Sequence, residues 1–127
     1  MKNEIIKKQS KLISLLFVLL FFIILISVGG FFNKLVVSQN GGIMPVLSDE
    51  SYKTFTHFGY KDPSEIEYPF LSDIFTIGNA IFSIGDFFII FGFISLLVTC
   101  ILIIHCNHQL KKLKKHYDKN FSLYNSP

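Results

Sequence analysis

Two aspartates in apolar surroundings, Asp73 and Asp86, are the residues of this chain best suited to chemistry. Asp73 lies within the segment LSDIF, and Asp86 comes directly before a long apolar run. Two carboxyl groups that meet share one proton, which is how an aspartic protease activates water. A structural alternative exists for Asp86, because residues 83–86 match the S-x-x-[DE] capping pattern that begins helices. The spacing alone leaves open whether the two side chains meet.

The other polar motifs predict neither a metal site nor a cofactor. Asn40 opens the sequence NGGIMP, which is either a turn or a stretch whose Asn side chain and free backbone amides line a site. His105 and His108 lie three residues apart with a thiol between them, but a metal site needs three or four ligands. His57 stands alone, and the sequence gives no reason to assign it a role. For Asn40, the turn and the site-lining interpretation both stay open.

Two apolar blocks are long enough to cross a membrane. Residues 87–104 carry no charge, and this length of helix extends ~27 Å, about the thickness of a bilayer's hydrocarbon core. The first block covers residues 12–32. A cleaved signal peptide is the alternative there, but the apolar stretch exceeds the usual ~7–15 residues and no A-x-A-like site follows. We predict two uncleaved spans.

The lysines indicate how these spans are oriented. The chain has a net charge of +3, and most of its lysines lie outside the two apolar blocks, before the first or after the second. Because lysines near the ends of spans tend to stay cytoplasmic, we expect both termini inside and the acidic middle outside. Attraction to an anionic bilayer explains the basic balance better than nucleic acid does, since the lysines lack interleaved aromatic residues. The abundance of Lys, Ile, Phe and Asn without any Arg suggests a bacterial source.

The predicted fold class is an α-helical membrane protein with two transmembrane helices and a small extracytoplasmic segment of mixed or strand character. Residues 35–38 and 74–77 are rich in β-formers and are predicted to be strands on the bilayer surface. Gly85, Gly92 and Thr99 recur every seven residues, which favours close packing against the first span or a second copy. The predicted divisions are a basic cytoplasmic N-terminus (1–11), a first span (12–32), the extracytoplasmic segment (33–85), a second span (86–105) and a basic cytoplasmic tail (106–127).

Three motifs in order carry a resemblance to a known family. VSQNGGIMPV at residues 37–46, LSDIF at 71–75 and FSIGD at 82–86 resemble the DUF5317 family of bacterial membrane proteins, whose function is unknown. The likeness covers roughly residues 30 to 100. It implies an integral membrane location and supplies no activity.

The same motifs are more distantly similar to lipoprotein signal peptidase, a membrane aspartic peptidase. That likeness implies that Asp73 and Asp86 form the catalytic pair, with Asn40 in support. The chain departs from the peptidase in having two predicted spans where that family has four, and in lacking its N-x-x-DR element. Because two helices alone could hardly enclose a substrate's transmembrane segment, an active peptidase would need a homodimer or another membrane protein as partner.

Two functions therefore remain open at the level of the sequence. The first is a structural or interaction role for an uncharacterised two-pass membrane protein, with the lipid bilayer as its surroundings. The alternative is an aspartic peptidase-like enzyme that uses an Asp73/Asp86 dyad. A transport role has little support, because no charged residue lies in the middle of either predicted span.

Overall fold

The computed structural model describes residues 1–48, 53–78 and 80–124. In chain order, two long helices flank a short segment of strands and 3₁₀ turns. In order, the elements are α1 (Lys2–Gln39), β1 (Met44–Leu47), β2 (His57–Tyr60), 3₁₀ turns at Pro63–Glu65 and Pro69–Leu71, β3 (Phe75–Ile77), β4 (Ala80–Phe82) and α2 (Ile84–Tyr124). The chain divides into two compact units, one of Ile23–Phe93 and one of Met1–Phe22 with Ile94–Pro127. We call these the mixed unit and the helical unit.

Both helices are long and apolar enough to cross a membrane. Their most apolar 18-residue windows have mean hydropathies of 3.1 and 3.0, with only 6% and 11% of the window residues buried. A core helix of a water-soluble protein would instead be mostly buried. Most apolar side chains of both helices therefore face the surroundings of the protein and do not pack in a protein core.

The mixed unit is built on a close crossing of α1 and α2 at two glycines. A methyl group added at Gly29 would lie 2.5 Å from the carbonyl oxygen of Gly85 and 3.0 Å from Ile89 Cγ1. The adjacent Gly30 has open space around it. Small residues let helix backbones approach closely, and the predicted packing role of Gly85 is confirmed. Gly29–Gly30 does not interrupt α1, which continues to Gln39.

Two small sheets belong to the mixed unit, formed by the part of the chain that joins α1 to α2. Strand β1 pairs in parallel with β2, with Met44 opposite His57 and Leu47 opposite Tyr60. On its other side, β1 makes a parallel bridge from Val46 to Asp73. Strands β3 and β4 form an antiparallel hairpin. The strand predicted at residues 74–77 is confirmed as β3.

The strand predicted at residues 35–38 is wrong, because α1 continues through it to Gln39. Val36 is fully buried there and packs with Met44 and Leu71, while Leu35 and Val37 pack around this cluster. The burial of one helical face in this small core outweighs the intrinsic preference of valine for strands.

The helical unit pairs the beginning of α1 with the end of α2. The Sγ of Cys106 donates to the carbonyl oxygen of Lys8 at 3.6 Å, and Lys8 Nζ donates to Gln109 Oε1. Thr99, Cys106 and Leu110 are buried, and these positions lie on one face of α2. The unit is thus an antiparallel helix pair whose remaining faces are largely exposed.

Candidate functional site

Asp86 belongs to a reciprocal cap at the start of α2. The backbone N–H of Ser83 donates to Asp86 Oδ2 at 2.9 Å, and the N–H of Asp86 donates to Ser83 Oγ at 3.1 Å. Ser83 lies just before Ile84, the first residue of the helix. This is the capping-box arrangement, in which two otherwise unpaired N–H groups are satisfied by side chains. The predicted capping role of Asp86 is confirmed.

Asn33 of α1 ties this cap to the neighbouring helix. Its Nδ2 donates to Asp86 Oδ1 at 2.7 Å, and its Oδ1 lies 2.9 Å from Ser83 Oγ. The Ser83 hydroxyl also lies 2.9 Å from Asp86 Oδ2, so its single hydrogen has two possible acceptors. Both carboxylate oxygens of Asp86 therefore have hydrogen-bond donors within reach.

Asp73 is held beside β1 by backbone hydrogen bonds. Its N–H donates to the carbonyl oxygen of Pro45 at 3.1 Å, and its own carbonyl accepts from Leu47 N at 3.0 Å. Only 4% of Asp73 is exposed. Its Oδ2 lies 3.4 Å from Nε2 of His57, whose Nδ1 lies 2.8 Å from the hydroxyl of Thr56. Strands β1 and β2 thus bring a buried carboxyl group to an imidazole.

The two aspartates differ in their electrostatic surroundings. The pKa of Asp73 is raised from 3.8 to about 6, mainly because burial disfavours its charged form and further because Asp86 is negatively charged nearby; His57 acts in the opposite direction. Asp86 has its own set of hydrogen-bond donors. Asp73 is therefore an acid whose protonated form persists up to about pH 6.

Both aspartates line one open cavity in the mixed unit. Its volume is about 480 Å³, and its polar lining includes His57 and Asn33 in addition to Asp73 and Asp86. Val37, Met44 and Phe55 supply apolar walls. A second cavity of about 300 Å³ also reaches Asp73 and His57, with Ile81 of β4 in its wall. The structure therefore brings the two sequence-predicted acids to a common space that is large enough for a small part of a substrate.

Asn40 occupies a different position from the two acids. Its Nδ2 donates to the carbonyl oxygens of Val36 and Glu67, and its Oδ1 accepts from Glu67 N at 3.0 Å. The side chain thereby ends α1 and clamps the segment that precedes the second 3₁₀ turn. It is not among the residues that line either cavity at Asp73.

His57 and Asn33 lie at the site but are not among the residues predicted from the sequence. Nothing in the local sequence of His57 distinguishes it, because its relation to Asp73 arises from the pairing of β2 with β1 and of β1 with Asp73. Asn33 has no local signal either, because its contact with Asp86 joins residues 53 positions apart in the chain.

Within residues 1–48, 53–78 and 80–124, no cluster of three or more His, Cys, Asp or Glu side chains has the arrangement of a metal site. His105 Nε2 contacts Gln109 Nε2 at 2.6 Å, and the Cys106 thiol contacts the Lys8 carbonyl. Two residues of the segment 105–108 are therefore engaged in contacts within and between the helices.

Comparison with known proteins identifies a family. No curated protein and no solved structure matches the chain significantly. The model of DUF5317, described as a family of unknown function, matches residues 2–99, a range that includes both aspartates, Asn33, Asn40 and His57. The chain therefore belongs to the DUF5317 family.

Proposed function

We propose that the protein crosses a bacterial cytoplasmic membrane twice, with both termini in the cytoplasm. Support comes from the two exposed apolar helices and from the lysines clustered before residue 12 and after residue 110. On this view the acid-lined cavity faces the outside, next to the membrane surface. The positive-inside rule is the physical basis for the orientation.

Labelling of single cysteines from outside tests this topology. In a background with Cys100 and Cys106 replaced by alanine, Ser64→Cys should react with an impermeant maleimide added to intact cells. His116→Cys should react only after the cells are opened. Labelling of His116→Cys in intact cells would contradict the proposed orientation, and loss of the chain in carbonate washing would contradict membrane insertion.

We propose further that the acid pair performs hydrolysis in the manner of an aspartic peptidase. The observation that carries this proposal is that Asp73 and Asp86 line one cavity in unequal environments. Two acids that are kept in different protonation states are the requirement for this chemistry. The motif likeness to lipoprotein signal peptidase points to the same pair.

The raised pKa of Asp73 assigns this residue the role of the acid, which leaves Asp86 as the base. Ionised Asp86 removes a proton from water, and the water oxygen attacks the substrate's carbonyl carbon. Protonated Asp73 gives its proton to the carbonyl oxygen as the tetrahedral intermediate forms. When the intermediate collapses, the oxygen returns its proton to Asp73, and the leaving amine takes the proton held by Asp86 as the C–N bond breaks.

The surroundings of the site suggest a substrate that is dissolved in the membrane. Phe75 and Ile77 of β3 are 40% and 60% exposed, and Phe87 on the first turn of α2 packs edge-on to Phe75. This apolar hairpin joins directly to the second proposed span, and a lipid surface is a suitable medium for it. An apolar peptide segment is therefore the substrate class that we propose. Because two helices enclose little of such a segment, a second copy or another membrane protein would complete the site.

The pH dependence of hydrolysis provides the test. Vesicles that contain the protein and a set of fluorescence-quenched apolar peptides should show cleavage that declines as the pH rises through about 6, where Asp73 loses its proton. Cleavage that instead rises steadily to pH 8 would contradict the role given to Asp73. Empty vesicles and vesicles with the Asp73→Asn chain are the controls.

A membrane-bound interaction module is the second candidate. It is favoured by the fact that the cap at α2 and the bond to Asn33 occupy both oxygens of Asp86. In that case Asp86 only stabilises the start of α2, and the exposed Phe55 and Phe70 contact a partner. Replacement of Asp73 would then leave function unchanged, whereas hydrolysis requires this residue.

A further inference from the structure

The helical unit contains a basic cleft between the two helices. Its volume is about 590 Å³. Three lysines from the first turns of α1 and one from the end of α2 surround it, and Gln109 and Leu113 complete the α2 side. The basic cleft is lined by Glu4, Lys7, Lys8, Lys11, Gln109, Lys112 and Leu113.

Positive charge predominates in the basic cleft. Four lysines and a single acidic residue, Glu4, line the cleft, and the Glu4 carboxylate lies 3.6 Å from the N-terminal ammonium group. Lys8 is held by a hydrogen bond from its Nζ to Gln109 Oε1. Lys7, Lys11 and Lys112 are exposed. An anionic group that enters the cleft would thus meet several donors at once.

Most of the surface that lines the basic cleft is apolar. Leu113 contributes a side chain, and lysine side chains place their methylene groups along apolar surface while their charged ends stay outside. A ligand with both a negative headgroup and a hydrocarbon portion matches this combination better than a small inorganic anion does.

The basic cleft also lies at a particular point along each helix. The first apolar block begins at residue 12, directly after Lys11, and the second ends at residue 104, just over one turn before Gln109. If the helices span a bilayer, these positions correspond to the depth of the lipid headgroups. This step rests on the proposed membrane location and does not depend on hydrolysis.

We propose that the basic cleft binds the headgroup of an anionic phospholipid. The lipid phosphate lies among Lys7, Lys11 and Lys112, and the upper part of an acyl chain follows Leu113 and the lysine stems. Each lysine near an anionic lipid surface strengthens such binding about fivefold. The ligand class is a phosphodiester lipid with a net negative charge.

Thermal unfolding of the full chain in neutral detergent tests this binding. Dihexanoyl phosphatidylglycerol should raise the melting temperature in a manner that saturates with lipid concentration, because a ligand that binds the folded state stabilises it. Dihexanoyl phosphatidylcholine and inorganic phosphate at the same concentrations should have little effect. An equal rise with inorganic phosphate would overturn the proposal in favour of a free-anion site, and an equal rise with phosphatidylcholine would indicate nonspecific lipid stabilisation.

Matched lysine variants locate the site. The double variant Lys11→Gln/Lys112→Gln should bind phosphatidylglycerol roughly tenfold or more weakly. The control Lys111→Gln/Lys115→Gln also removes two positive charges, both from α2 and neither from the cleft lining, and should bind as the unaltered chain does. Equal losses in the two variants would overturn a discrete site.

Native mass spectrometry provides a second measurement that needs no variant. The unaltered chain, released from neutral detergent with both lipids present, should retain one phosphatidylglycerol and no phosphatidylcholine. Equal retention of the two lipids would overturn the proposal, even if the double variant fails to fold.

Discussion

Replacement of Asp73 with asparagine should reduce hydrolysis to the background of empty vesicles, a loss of at least a hundredfold. Asparagine has nearly the same shape but has no carboxyl proton to give to the substrate's carbonyl oxygen, and proton transfer of this kind contributes typically 10²–10⁴-fold. The measurement is cleavage of the quenched apolar peptides at pH 5.5, where the proposed mechanism keeps Asp73 protonated.

The same replacement should increase stability at neutral pH. Since the folded-state pKa of Asp73 is raised from 3.8 to about 6, the carboxyl group's contribution to the folding free energy is fully present below pH 4. It is lost as the pH rises through about 6, because ionisation then occurs in a buried position. At 1.36 kcal/mol for each pKa unit, the loss is at most about 3 kcal/mol. Asparagine does not ionise, so the variant should unfold at higher denaturant concentration at pH 7 and lack this pH dependence.

Asp62→Asn is the matched control for both measurements. Asp62 is an exposed acid of the same segment, and its Oδ1 accepts from Ser64 N at 2.9 Å. An asparagine side chain retains that acceptor, so activity and stability at pH 7 should stay close to those of the unaltered chain. If Asp73→Asn cleaves normally, the enzymatic proposal fails. If the Asp73→Asn variant loses stability together with activity, Asp73 has a structural role, and its assignment as the proton donor loses its support.

Alanine at Gly29 should destabilise the mixed unit, whereas alanine at the adjacent Gly30 should not. The added methyl group at Gly29 meets the backbone oxygen of Gly85 at 2.5 Å and Phe88 Cβ at 3.0 Å, so the helices must separate. Insertions of this kind cost typically about 1–3 kcal/mol. At Gly30 nothing lies within 4 Å, and alanine is about 1 kcal/mol better than glycine inside a helix. The two variants should therefore shift the midpoint of unfolding in denaturant in opposite directions.

The Gly29 variant should also affect the acid pair. Asn33 lies one turn further along α1 and bonds Asp86 across the same helix crossing at 2.7 Å. Separation of the helices lengthens this bond and weakens the support of the Asp86 carboxylate, so hydrolysis should fall with stability. Two glycine variants with equal stability would contradict the close approach at Gly29.

Local signals in the sequence predicted part of the candidate site. Ser83 and Asp86 are three residues apart before an apolar run, and a capping box needs only that local spacing. The relation of Asp73 to Asp86 is different, because it depends on where β1 lies with respect to the start of α2. The contact of His57 with Asp73 depends on the register of β2 with β1. Neither relation can be predicted from the residue types close to these positions in the chain.

The error at residues 35–38 has the same origin. The local residue types favour a strand, yet the burial of Val36 against Met44 and Leu71 decides the conformation. Asn40 then ends α1 through bonds to Glu67, which lies 27 residues further along the chain. A partner so distant in sequence cannot be inferred from composition or spacing.

By itself, the sequence determined the two long apolar helices, the asymmetric distribution of lysines and the cap at Asp86, because hydropathy, charge and capping depend on residues close together in the chain. Only the tertiary structure decided that Asp73 and Asp86 line one cavity and that His57 and Asn33 contact them. The physical reason is that the raised pKa of Asp73 comes from burial and from a neighbouring charge. Both are properties of the folded arrangement rather than of any one segment.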